Sequence, residues 1–82
     1  MKLKKIHLQY FALLKEERGL SQETFETSAA TAADLYDELQ QKYHFKLGKD
    51  LLRIAVNDEF VKWGTKLKDS DSIIFIPPVA GG

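Results

Sequence analysis

Apolar and polar residues alternate near the start of the chain. Ile6, Leu8 and Tyr10 are separated by His7 and Gln9, the period of a half-buried strand. From Phe11 to Arg18 the period changes: Leu13 and Leu14 precede Lys15-Glu16-Glu17-Arg18, predicting a short helix that Gly19 ends. Residues 22–27, Gln-Glu-Thr-Phe-Glu-Thr, predict a weakly amphipathic second strand at a sheet edge. The first two strands form a hairpin-like unit with a long connection. Thr31, with Asp34 three residues later, approximates a capping box. Leu35, Leu39 and Tyr43 then recur at four-residue spacing with Tyr36 beside them, predicting an amphipathic helix over about 32–43.

After a loop at residues 45–49, Leu52, Ile54 and Val56 share one face of a third strand. Asn57-Asp58 is a turn pair that tolerates positive φ, and Glu59-Phe60-Val61 predicts the short return strand. Leu67 is expected as a core plug, and Asp69-Ser70-Asp71 as the turn before the last strand, Ile73-Ile74-Phe75-Ile76. The predicted order is ββαβββ in one domain spanning 1–82. One helix cannot cover both faces of a five-stranded sheet. Ile73 and Phe75 point opposite to Ile74 and Ile76, so the last strand is apolar on both faces. Such a strand is central with a partly covered second face, or that face is a docking surface; the tail it carries favours docking.

Pro77 and Pro78 stop this strand, because neither has a backbone N–H for a ladder and both fix φ. Residues 77–82 are expected to form an extended tail, ending in Val79-Ala80-Gly81-Gly82 and a free carboxylate. At about 3.3 Å per residue these six residues reach roughly 20 Å. A stiff base and a tip without side chains suit insertion into another protein's channel.

Composition narrows the chemistry. The 82 residues predict one small domain, and an apolar fraction of 44 % argues against disorder. Twelve basic and twelve acidic residues cancel, giving no support for nucleic acid or an anionic membrane as the main partner. The absence of cysteine excludes disulfides, thiolate metal sites and a cysteine nucleophile on this chain. No stretch approaches the roughly 20 apolar residues of a membrane span, and no long apolar region follows the N-terminal lysines. A soluble cytoplasmic protein is expected.

Conventional catalytic sets and metal-ligand spacings are absent. His7 lies on the polar parity of its strand and His44 follows the helix, so both are expected in surface or structural roles. Gly19, Gly48 and Gly64 are isolated and form no phosphate loop. The remaining reactive group is the α-carboxylate of Gly82, ionised at neutral pH and inert until activated. The chain has no ATP site of its own, so another enzyme must activate it.

These residues resemble the small, sulfur-carrying subunits of molybdopterin synthase, a ubiquitin-like family. The resemblance runs over nearly the whole length, through Tyr10-Phe11-Ala12, Thr31, Ala55-Val56-Asn57 and Leu67-x-Asp69-x-Asp71-x-Ile73-x-Phe75. It is most specific in Pro77-Pro78-Val79-x-Gly81-Gly82. Ser70 stands where the family commonly has glycine, which puts the turn type there in question. The resemblance implies an α+β β-grasp fold: a mixed five-stranded sheet on one main helix, its first and last strands parallel and central. It implies no bound cofactor or metal. An E1-like enzyme using ATP would adenylate Gly82, next to Gly81, and a persulfide donor would convert it to a thiocarboxylate. The tail would enter the large synthase subunit, in a heterotetramer, and donate sulfur to cyclic pyranopterin monophosphate to give molybdopterin. Phe75, Pro77, Pro78, Val79 and Ala80 fall where the family contacts its partners. On this reading the chain is not an enzyme on its own.

Three alternatives share parts of the pattern. A sulfur carrier for thiamin thiazole synthesis has the same fold and Gly-Gly end, but Pro77-Pro78 and the long segment 11–20 favour the molybdopterin family. A ubiquitin-like modifier would form amides with protein lysines. A plain interaction module would not need Gly81-Gly82.

Overall fold

The computed structural model describes residues 2–78. Its elements are β1 (Lys4–Tyr10), α1 (Ala12–Arg18), β2 (Gln22–Thr27), α2 (Ala32–Tyr43), β3 (Arg53–Val56), β4 (Glu59–Val61) and β5 (Ser72–Ile76), with a 3₁₀ turn at Lys49–Leu51. The five strands form one mixed sheet in the order β2-β1-β5-β3-β4. β1 and β5 run parallel, with Leu8 beside Ile73 and Tyr10 beside Phe75, and every other pair is antiparallel. This is the β-grasp arrangement, with β5 in the centre and β2 and β4 at the edges.

Alternation decides which face is buried. On β1 the side chains of Ile6, Leu8 and Tyr10 are enclosed while Lys5, His7 and Gln9 are exposed. On β5 Ile73 and Phe75 are fully enclosed, and Ile74 and Ile76 are half-buried on the other face. α2 covers the inner face with Ala32, Leu35, Tyr36 and Leu39, none of them accessible. Its first turn is capped by Thr31, whose Oγ1 accepts a hydrogen bond from the Asp34 N–H at 3.2 Å. The expected core plug, Leu67, is buried.

Phe75 is the hub of an aromatic cluster: Tyr36 lies 5.2 Å away centroid to centroid, Trp63 6.2 Å and Tyr10 6.4 Å. The Tyr36 hydroxyl donates to the Leu47 carbonyl at 2.6 Å, and burial, aided by the negative charge of Glu17, pushes its pKa up to about 12.

Two turns fix the strand ends. Asn57 and Asp58 both have positive φ, 52° and 71°, which closes β3 on β4 with a two-residue loop. Ser70 has φ 71°, the left-handed region that a β-carbon disfavours. Around it, the Ser70 N–H donates to the Lys5 carbonyl and the Lys5 N–H to Asp69 Oδ1. Buried Asp71 accepts from the Lys68 N–H at 2.7 Å and from Asn57 Nδ2 at 2.9 Å. The turn therefore ties the starts of β1 and β5 to the β3–β4 loop.

Two stability predictions result. Ser70→Gly is expected to raise stability by up to about 1 kcal/mol, since relief of left-handed strain exceeds the entropy glycine adds to the unfolded chain. Phe75→Ala is expected to cost about 3–5 kcal/mol through loss of the aromatic hub. Urea unfolding measures both.

Candidate functional site

The chemistry read from the sequence lies at the end of β5. Ile76 is the last laddered residue of that strand, opposite Arg53 of β3; Pro77 is half-buried and Pro78 exposed. Val79, Ala80, Gly81 and Gly82, to which the carried sulfur and part of the partner contact are assigned, lie outside the described residues. Pro77 and Pro78 stand where expected, directly on the central strand with no spacer.

Phe75 does not stand where a partner contact needs it. Its ring is 0 % exposed and locked among Tyr10, Tyr36 and Trp63. Strand parity is the reason: β1 buries its even-numbered residues, the parallel register sets Phe75 beside Tyr10, and both point at α2. The outward residues of β5 are Ile74 and Ile76.

Register identifies what joins them. Gln9, Ile74, Ala55 and Phe60 are cross-strand neighbours on the outer face. Phe60 is 65 % exposed, and Arg53 places its guanidinium 5.5 Å from that ring centroid. Continuing the parallel register by one residue puts Phe11, 42 % exposed, beside Ile76. Leu51, Phe60, Ile76, Pro77 and Pro78 line a groove of about 460 Å³ that begins at the root of the tail. Uncovered apolar patches rimmed by polar residues are where proteins commonly meet partners. The sequence pattern around Phe60 is too short to show its direction; the two-residue turn at Asn57-Asp58 is the signal that places it opposite Ala55.

Phe11 sits on a rigid corner. Ala12 has φ 51°, so the chain enters α1 through a strained residue. Gly19 at φ 84° ends the helix, its N–H donating to the Lys15 carbonyl. A three-residue clasp binds this corner to β2. Arg18 donates twice to Glu23, from Nε to Oε2 at 2.9 Å and from an Nη to Oε1 at 2.8 Å, and the Tyr10 hydroxyl donates to Oε2 at 2.7 Å. The Arg18 guanidinium also lies 4.1 Å from the Tyr43 ring centroid. Burial pushes Glu23 up, but the bonds from Arg18 and Tyr10 together outweigh it and hold the carboxyl below its ordinary value. Burial first, and then the Glu23 bond, push the Tyr10 phenol far above its ordinary range.

No group of three or more acidic, histidine or cysteine residues could hold a metal among the described residues. No helix among them is long and apolar enough to cross a membrane. His7 is exposed on the outer face, and His44 ends α2 in the left-handed conformation at φ 59°. What the described residues offer is a central strand that stops at two prolines, beside an apolar surface.

Comparison with known proteins agrees with this geometry. The sequence model of the ThiS family matches residues 8–82. The molybdopterin synthase sulfur carrier subunit of Haemophilus influenzae is 31 % identical over 80 residues, covering 94 % of this chain and 99 % of the relative. The solved putative molybdopterin converting factor subunit 1 from Pyrococcus furiosus superposes with a TM-score of 0.78 at 31 % identity, covering 93 % of this chain and 99 % of that one. A chain from the complex of subunits 1 and 2 of the Helicobacter pylori molybdopterin-converting factor is 33 % identical with a TM-score of 0.65, covering 95 % and 99 %.

The clasp gives a pH prediction. A carboxyl whose pKa is lowered by folding contributes stability above its unfolded pKa and loses it as pH falls through the lower folded value. Glu23→Gln is therefore expected to cost about 1–2 kcal/mol at neutral pH. It should also flatten the stability loss below the carboxyl's ordinary value of 4.5. Thermal melts from acid to neutral pH compare the two proteins.

Proposed function

The chain belongs to the ThiS family, and from that premise we propose that it is the sulfur-carrying small subunit of a molybdopterin synthase. The observation that carries the reading is the junction at Ile76-Pro77, where the central strand stops at two prolines in a sequence that runs on to Gly81-Gly82. The sulfur carrier of Haemophilus influenzae, similar over nearly the full length of both chains, supports it. The Helicobacter pylori complex supports a second synthase subunit as partner.

In this function the chain supplies a reagent and a docking surface, and other proteins supply catalysis. An E1-like enzyme would let a Gly82 carboxylate oxygen attack the α-phosphorus of ATP, expelling pyrophosphate and leaving an acyl-adenylate. The terminal sulfur of a persulfide donor would attack the acyl carbon and expel AMP. A thiol would then cleave the acyl disulfide, leaving Gly82 as a thiocarboxylate. Thiocarboxylate is a better nucleophile than carboxylate because its charge rests largely on polarisable sulfur. Docked on the large subunit, the tail would deliver that sulfur to cyclic pyranopterin monophosphate, one carrier at each end of a heterotetramer.

Gly-Gly suits this work because two residues without β-carbons pass through a narrow channel and leave the terminal carbonyl open to attack. Pro77-Pro78 would limit the conformations the tail must lose on insertion. The outer-face residues Ile74, Ile76 and Phe60, with Pro77 and Pro78, would make the contact first ascribed to Phe75.

Intact mass after incubation with an E1-like activator, ATP and a sulfur source tests the reading. The expected result is a shift matching exchange of one oxygen for sulfur, absent when Gly82 is deleted, with unchanged melting of the truncated chain. Normal molybdopterin formation by that truncated chain would sink the carrier mechanism. Accumulation mainly as amide adducts of other proteins would favour a modifier, and transfer only in thiazole synthesis would favour the thiamin carrier.

A further inference from the structure

Two exposed cations stand at one corner of the outer face. Arg53 of β3 lies opposite Ile76 and over the ring of Phe60. Continuing the β3–β4 register by one residue puts Lys62 opposite Arg53, on the same side of the sheet as Phe60. The row across the sheet therefore runs from apolar Phe11 and Ile76 to basic Arg53 and Lys62.

Among the described residues neither cation has an ion-pair partner: the ion pairs there are Arg18–Glu23 and Lys49–Asp37. Lys5, by contrast, has Glu26 at its cross-strand position. Asp50 lines the groove with Arg53, but its carboxylate folds back over its own turn, with Oδ1 2.8 Å from where a β-carbon at Gly48 would stand. Asp58 and Glu59 lie at the turn end of the hairpin, away from its Arg53–Lys62 end. Two like charges on adjacent strands repel each other, and the ring of Phe60 offers a local favourable contact to Arg53 alone.

The cost of covering this corner decides what can cover it. A partner that buries Phe60 and Ile76 takes water from Arg53 as well. A desolvated guanidinium left without a counter-charge is strongly unfavourable, and the ring beneath it offsets only part of that. A carboxylate restores the balance and matches the planar fork of arginine with two parallel hydrogen bonds.

We infer that the outer face of this carrier selects an apolar contact segment flanked by carboxylates on the synthase large subunit, with Arg53 and Lys62 as the specificity-determining charges. The inference rests on the sulfur-carrier reading and deepens it by stating the chemistry of the partner's docking segment. The charge contact orients the carrier so that Pro77-Pro78 points the tail into the partner.

The test is the equilibrium affinity of the full chain for the purified large subunit from the same organism, at about 0.05 and 0.5 M salt. Wild type is expected to bind more weakly at high salt. Arg53→Ala/Lys62→Ala should bind about tenfold or more weakly at low salt and lose most of the salt dependence. Arg53→Glu should be weaker still, while Arg53→Lys should keep the salt dependence but lose part of the affinity. Melting curves establish that each variant is folded. Unchanged affinity and salt dependence in the double variant, with wild type binding, overturns this inference and leaves sulfur carriage intact. No binding by wild type overturns both.

Discussion

The parallel pairing of β1 with β5 is the interaction on which the rest of the molecule depends. It puts the last strand in the middle of the sheet, between β1 and β3, with a hydrogen-bonded neighbour on each side. It also fixes parity. With Leu8 beside Ile73 and Tyr10 beside Phe75, one apolar set meets α2 and the other, Ile74 and Ile76, is left outside. A sheet of five strands with one main helix can dry only one face. The outer apolar residues are a direct consequence, and so is their place next to the root of the tail.

Small polar devices hold this arrangement against slippage. A one-residue shift of β5 along β1 would move Phe75 outward and Ile74 inward, exchanging the two faces. The 68–71 turn opposes that shift: Asp71 links the start of β5 to Asn57 in the β3–β4 loop, while Ser70 and Asp69 bind Lys5 in β1. Ser70 bears the left-handed strain that a glycine would avoid, which is the physical meaning of its departure from the family pattern. At the other end of β1, the Tyr10–Glu23–Arg18 clasp closes the corner that presents Phe11. Charge is used here for geometry, since a bidentate arginine allows one orientation where a packed leucine allows several.

Much of this is legible along the chain because the patterns are local. Ile6, Leu8 and Tyr10 define β1, and Thr31 with Leu35 and Leu39 defines α2, whose observed span Ala32–Tyr43 matches the expected 32–43. The edge position of β2 and the turn at Asn57-Asp58 are legible for the same reason. What the sequence conceals is direction. In Ile73-Ile74-Phe75-Ile76 all four residues are apolar, so hydrophobicity gives no parity, and motif position alone suggests a contact role for Phe75. Only pairing with Tyr10 shows that its ring belongs to the core. Phe60 is hidden in the opposite sense: in a three-residue strand a large aromatic looks like core, yet it lies almost as open as a surface residue. Arg53 is unremarkable until the register sets it against Ile76.

The two faces of β5 carry different obligations. The inner face must be well packed, because a domain of this size gains its stability from a core with few redundant contacts. The outer face is free of that demand, and it leaves Ile74 and Ile76 half-buried and Phe60 in water. That these outer apolar residues share a strand with the root of the C-terminal segment has a mechanical consequence. Any partner that grips Ile74, Ile76 and Phe60 also fixes where Pro77 begins, because Pro77 follows directly on Ile76, the last laddered residue. The start of the C-terminal segment is then placed by the sheet itself.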